Sequence, residues 1–85
     1  MKKHHSIKDV SFDNGHMSLV VDNVFYQVTL SRVSALLARA TLKERTCFEI
    51  SPSGYGIHWP LIDEDLSVDA LLKFARVSDR QLAHA

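Results

Sequence analysis

An internal disulfide is excluded, because Cys47 is the single cysteine of this chain, and the same scarcity leaves no Cys-rich zinc site. The thiol is expected to be a buried small hydrophobe in a reducing compartment. Long apolar runs are missing too. Nothing approaches the roughly 18 apolar residues that cross a bilayer as a helix, so no membrane role is expected. Met1-Lys2-Lys3-His4-His5-Ser6 is basic but runs into no apolar stretch, so it does not read as a signal peptide, and the cytoplasm is the expected compartment. There is no Gly-rich phosphate loop, no G-x-S-x-G elbow and no pair of histidines at metal-ligand spacing. No cofactor is expected.

What remains is a chain of 85 residues, 46% apolar, with only three Gly and two Pro. That is too hydrophobic and too regular for disorder, and long enough for one domain only. The reading is a single domain over 1–85 with an ordered core at about 7–76 and mobile tails. A domain this small barely offsets its conformational entropy, which favours pairing with another chain. Ten bases balance ten acids, yet residues 60–70 hold Asp63, Glu64, Asp65 and Asp69 with no base, so that stretch is −4 and the rest +4. Such a dipolar surface suits self-association or a charged partner.

Val10 and Phe12 alternate with polar neighbours into Asp13-Asn14-Gly15, a hairpin turn signal. Met17, Leu19 and Val21 alternate next, Asp22-Asn23 reads as a second tight turn, and Val24, Tyr26, Val28 and Leu30 face opposite to Phe25, Gln27 and Thr29. These make a three-stranded antiparallel meander. Val33, Leu36, Leu37 and Ala40 have helical spacing behind Ser31 as N-cap, and Thr41-Leu42-Lys43-Glu44 has the form of a capping box. Cys47 to Ile50 and Gly56 to Trp59 read as a hairpin around Ser51-Pro52-Ser53-Gly54. Ser67 then caps a helix whose Val68, Leu71, Leu72 and Ala75 form one stripe. Ser78-Asp79-Arg80-Gln81 could cap one further turn. The expected fold class is α+β: an antiparallel sheet of about five strands, with helices packed on one face.

At Ile57-His58-Trp59-Pro60 and Asp63-Glu64-Asp65-Leu66-Ser67-Val68 the chain resembles the family called domain of unknown function 2442. The resemblance extends back through Val28-Thr29-Leu30, Leu36 to Thr41 and Glu44-Arg45. It implies a small α+β protein, bacterial or phage-borne on mobile elements, often encoded beside a second small protein in an antitoxin-like arrangement. It implies no catalytic residue. The chain departs from the family pattern at Ser34 and Leu42, where relatives commonly carry Pro, at Phe48, where Trp is usual, and at Leu61, where a polar residue is usual.

His58 with Asp63, Glu64 and Asp65 has the composition of a metal or acid–base cluster. On strand alternation, however, His58 points away from Ile57 and Trp59, and three successive carboxylates do not converge on one ion. The structural reading is that Asp63 and Asp65 bond loop amides and that Asp69 favours the helix start. Trp59 is read as a core filler whose indole N–H finds a carboxylate or carbonyl. Phe25, Leu61, Arg32, Arg39 and Arg45 are the candidate partner contacts. The leading expectation is a non-enzymatic interaction module, a homodimer or higher oligomer, or one that binds a small protein from a neighbouring gene. A nucleic-acid-binding regulator using Arg32, Arg39, Lys43, Arg45 and the N-terminal lysines is the first alternative. A metal-dependent hydrolase at His58 is the second.

Overall fold

The computed structural model describes residues 5–77. The meander forms as the alternation requires: β1 is Ile7–Asp13, β2 is His16–Val21 and β3 is Val24–Thr29. Asn14 and Gly15 in the first turn, and Asp22 and Asn23 in the second, all take positive φ. Two-residue turns of that kind match the right-handed twist of the strands they join. The pairings Met17–Val28, Leu19–Tyr26 and Val21–Val24 put the apolar residues on one side of the sheet. A register shift bends β1 between Lys8 and Ser11, where Asp9 also takes positive φ.

The expected helix from Val33 to Ala40 is two pieces, α1 (Leu30–Val33) and α2 (Ala35–Arg39). The break is at Ser34, whose backbone is extended (φ −161°, ψ 114°). Ser34, rather than Ser31, is the cap: its hydroxyl oxygen accepts from the Leu37 amide at 3.1 Å. Leu36, on the proposed apolar stripe, is exposed while Leu37 is fully buried, because the break resets the helical phase. The box at Thr41 forms in full, with Glu44 N–H to Thr41 Oγ1 at 3.1 Å and Thr41 N–H to Glu44 Oε1 at 2.9 Å, starting α3 (Leu42–Thr46).

The second hairpin is β4 (Glu49–Ile50) and β5 (Gly56–Trp59). Cys47 belongs to the end of α3, before the strand begins, and it is exposed, which overturns the buried thiol expected from sequence. The segment read as an acidic knuckle is a turn over residues 60–63 followed by a strand, β6 (Glu64–Ser67). Ser67 then caps α4 (Val68–Phe74) by accepting from the Ala70 amide at 3.1 Å. A last short strand, β7 (Arg76–Val77), pairs with β3.

The fold is α+β and antiparallel, but the strands divide into two sheets, β1-β2-β3-β7 and β4-β5-β6. One core lies between them. Met17, Leu19 and Val21 from β2, Val28 from β3, Leu30 and Leu37 from the helices, Ile57 and Trp59 from β5, and Val68 and Leu71 from α4 form a single buried cluster. An edge-to-face contact of Phe12 with Phe48 (6.2 Å) and a tilted one of Phe48 with Trp59 (6.4 Å) run from one sheet to the other. Residues 78–81, read as a further helix cap, and Lys2, Lys3 and His4 of the basic start lie outside the described residues.

Candidate functional site

Alternation along β5 decides what the motif can do. Ile57 and Trp59 are buried, whereas His58 lies on the opposite side of the strand. Its cross-strand partners are Glu49 on β4 and Asp65 on β6, so this outward row reads carboxylate, imidazole, carboxylate. His58 Nδ1 and Asp65 Oδ1 are 2.7 Å apart. Glu64, one residue before Asp65, turns to the other side opposite Trp59, and there it accepts from the Ser34 hydroxyl. Asp63 sits in the turn with positive φ. The three carboxylates therefore diverge, and no group of three His, Cys, Asp or Glu among the described residues could hold a metal ion.

Gly56 and Ser67 are paired on the same side as His58 and Asp65. They put little side chain there, and a groove of about 490 Å³ results, with Pro52 and Tyr55 as apolar neighbours of the polar row and Ile50 and Leu66 lining it from positions in register with Ile57. That size lies within the roughly 300–1,000 Å³ typical of ligand sites. Tyr55 is 53% exposed and Ile50 37%. The two groove serines serve the backbone: Ser51 Oγ accepts from the Tyr55 and Gly56 amides at 2.9 and 3.1 Å, and Ser67 caps α4. Among the described residues no hydrogen bond joins either hydroxyl to His58.

Trp59 is fully buried, and its indole N–H donates to the Arg45 carbonyl at 2.9 Å. Arg45 is itself committed, because its guanidinium donates to the Leu37 and Ala38 carbonyls at 2.9 and 2.8 Å, closing the end of α2. It is thereby withdrawn from the cationic face proposed with Arg32 and Arg39, which remain exposed. Phe25 is half-buried on the outward side of the four-stranded sheet, paired with Val20. Leu61 is 51% exposed in the turn before β6, next to Pro60, which is also exposed. The five candidate contacts thus stand on separate elements.

Sequence reasoning did not anticipate the contacts of His5. Its Nδ1 lies 2.8 Å from Asp22 Oδ2 and its Nε2 3.5 Å from Asp69 Oδ1, while its backbone N–H donates to the Ser53 carbonyl at 3.2 Å. Asp22 also accepts from the Ser6 amide. The hydrogen bond to Asp22 holds the His5 imidazole above its ordinary value of 6.5 against the opposing effect of burial, helped by the charges of Asp22 and Asp69. Reciprocally, the His5 hydrogen bond lowers the Asp22 carboxyl below 3.8. A raised histidine stabilises the fold fully below its unfolded value, and the contribution is lost as pH rises through the folded one; a lowered carboxylate stabilises above its unfolded value and fails as pH falls through its folded one. The clamp should be tightest between 3.8 and 6.5. NMR titration should find His5 protonating above 6.5, and Asp22→Asn should bring it down; an unchanged midpoint in that variant would remove Asp22 as the cause.

The sequence profile of a family described as protein of unknown function (DUF2442) matches residues 7–77. No curated protein and no solved structure matches the chain.

Proposed function

The chain belongs, through residues 7–77, to the DUF2442 family of proteins of unknown function, and on that premise we propose that it is a non-enzymatic docking module whose seat is the groove over β4, β5 and β6. The observation that carries the reading is the groove itself: ligand-sized, apolar-walled and bordered by β4, a two-residue strand at the edge of its sheet. A free edge offers main-chain hydrogen bonds to an added strand, while side-chain pockets beside it supply specificity. Glu49 and Asp65 give the groove two carboxylates against the single imidazole of His58. The occupant that complements this is an extended, basic and apolar segment of a second small protein. The neighbouring-gene protein implied by the family resemblance is the natural candidate, which would make the role antitoxin-like. Among the described residues the carboxylates of the metal-dependent alternative, Asp63, Glu64 and Asp65, diverge from one another.

Co-expression with the product of the adjacent reading frame, followed by size-exclusion chromatography with light scattering, tests this. A stable complex is expected, weakened by about tenfold or more in the double variant Glu49→Lys, Tyr55→Ser, since charged and aromatic anchors dominate such interfaces. A dimer of the chain alone that the same variant disrupts would assign the groove to a second copy and overturn the heterologous occupant. A stable monomer that ignores its neighbour would sink the docking reading altogether.

A further inference from the structure

The outward side of the four-stranded sheet carries a second, smaller depression of about 150 Å³, lined by His16, Gln27, Thr29, Arg32, Phe74 and Arg76. The topology assembles it from five elements, β2, β3, α1, α4 and β7. His16 on β2 is in register with Thr29 on β3, and Gln27 on β3 with Arg76 on β7, so all four project from the side opposite Met17 and Val28. Arg32 reaches the same place from α1. This lining holds two guanidiniums, an imidazole, an amide and a hydroxyl, and no carboxylate. None of Arg32, Arg76 and His16 makes an ion pair or side-chain hydrogen bond among the described residues. The nearest acid in register is Asp13, across from His16 on β1, and it does not line the depression.

Arg32 and Arg76 line one small hollow with no carboxylate among the described residues beside them, an arrangement that favours an anion there. Guanidinium presents its N–H groups in a planar fork that matches phosphate oxygens, and such charge-assisted bonds are about twice as strong as neutral ones. The hollow of about 150 Å³ exceeds the roughly 30 Å³ share of one liquid water several-fold, which leaves room for a tetrahedral oxyanion and part of the group that carries it. Binding to a nucleic-acid backbone instead draws on many phosphates at once. Phe74, 46% exposed at the rim, presents an apolar ring to whatever the anion is attached to. We propose that this depression is a binding site for a phosphate monoester, with Arg32 and Arg76 holding the phosphate, His16, Gln27 and Thr29 completing its donors, and Phe74 packing on the organic part.

This site is on the opposite sheet from the groove, so its fate is independent of the docking reading. The test is an NMR titration of the full chain with three probes: inorganic phosphate, adenosine monophosphate and a short DNA duplex, each against chloride at matched ionic strength. Phosphate should shift the signals of His16, Gln27, Arg32 and Arg76 to saturation, and the monophosphate should bind more tightly and also shift Phe74. Arg32→Gln and Arg76→Gln should each weaken binding by about tenfold or more, the loss expected of a charge-assisted contact, while Arg39→Gln should leave it unchanged. Both arginines are exposed, so the variants keep the fold. Equal shifts from chloride, or an equal loss in Arg39→Gln, would overturn the site. Tighter, steeply salt-dependent binding of the duplex would place the phosphate on a polymer and overturn the small-molecule class.

Discussion

Trp59→Ala is expected to cost about 3–5 kcal/mol, the range for deleting a buried aromatic side chain, which is a large share of the total stability of a domain this size. The loss has two parts. The indole fills the space between β5 and Phe48, which in turn meets Phe12 on the other sheet, so its removal leaves a void in the one core that both sheets share. Its N–H also satisfies the Arg45 carbonyl, on the residue whose guanidinium closes α2. Trp59→Phe separates the two parts: it keeps most of the volume and orphans the carbonyl, at about 1–3 kcal/mol. Urea denaturation followed by circular dichroism measures both. If Trp59→Ala melts like the parent yet binds its partner less well, the side chain is an interface anchor and its placement in the core is wrong.

Gly54→Ala should cost about 2–3 kcal/mol, combining a left-handed backbone that L residues disfavour with a steric overlap. Gly54 has φ +72°, and a Cβ there would run into the backbone carbonyl of His5. Gly15 provides the internal comparison, having φ +78° with open space where a Cβ would stand, so Gly15→Ala should cost only the conformational part, about 1–2 kcal/mol. The difference between the two variants isolates the packing of the N-terminal segment against the loop of residues 51–55. Gly54→Ala should also return the His5 imidazole toward its ordinary value, because the segment that presents it to Asp22 is displaced. Equal costs at the two glycines, with His5 unchanged, would show that this contact contributes nothing.

The parts of the fold that local chemistry dictates were legible in the sequence. Asn14-Gly15 and Asp22-Asn23 tolerate positive φ, Thr41 and Glu44 satisfy each other's amides, and Ser67 precedes a clean apolar stripe; none of these depends on distant residues. What escaped was decided by tertiary contacts. Ser34, where the helix breaks, bonds to Glu64, thirty residues away, and α1 could not be separated from α2 by spacing alone. β6 was obscured because its outward Asp65 and inward Glu64 are both acidic, so period-two alternation carried no hydropathy signal. β7 has only two residues. At the candidate site, the orientation of His58 followed from alternation, but the groove did not, since it arises from how little side chain Gly56 and Ser67 supply across two strands. The arginine hollow requires knowing that Arg76 lies beside Gln27, which nothing in the order of residues reveals.

Among the described residues no ladder of strand hydrogen bonds bridges the two sheets, so the tilt of one plate against the other is set by how bulky the enclosed side chains are. Swapping a larger aliphatic for a smaller one at Leu19 or Leu71 would let the plates settle differently while both hairpins keep their registers.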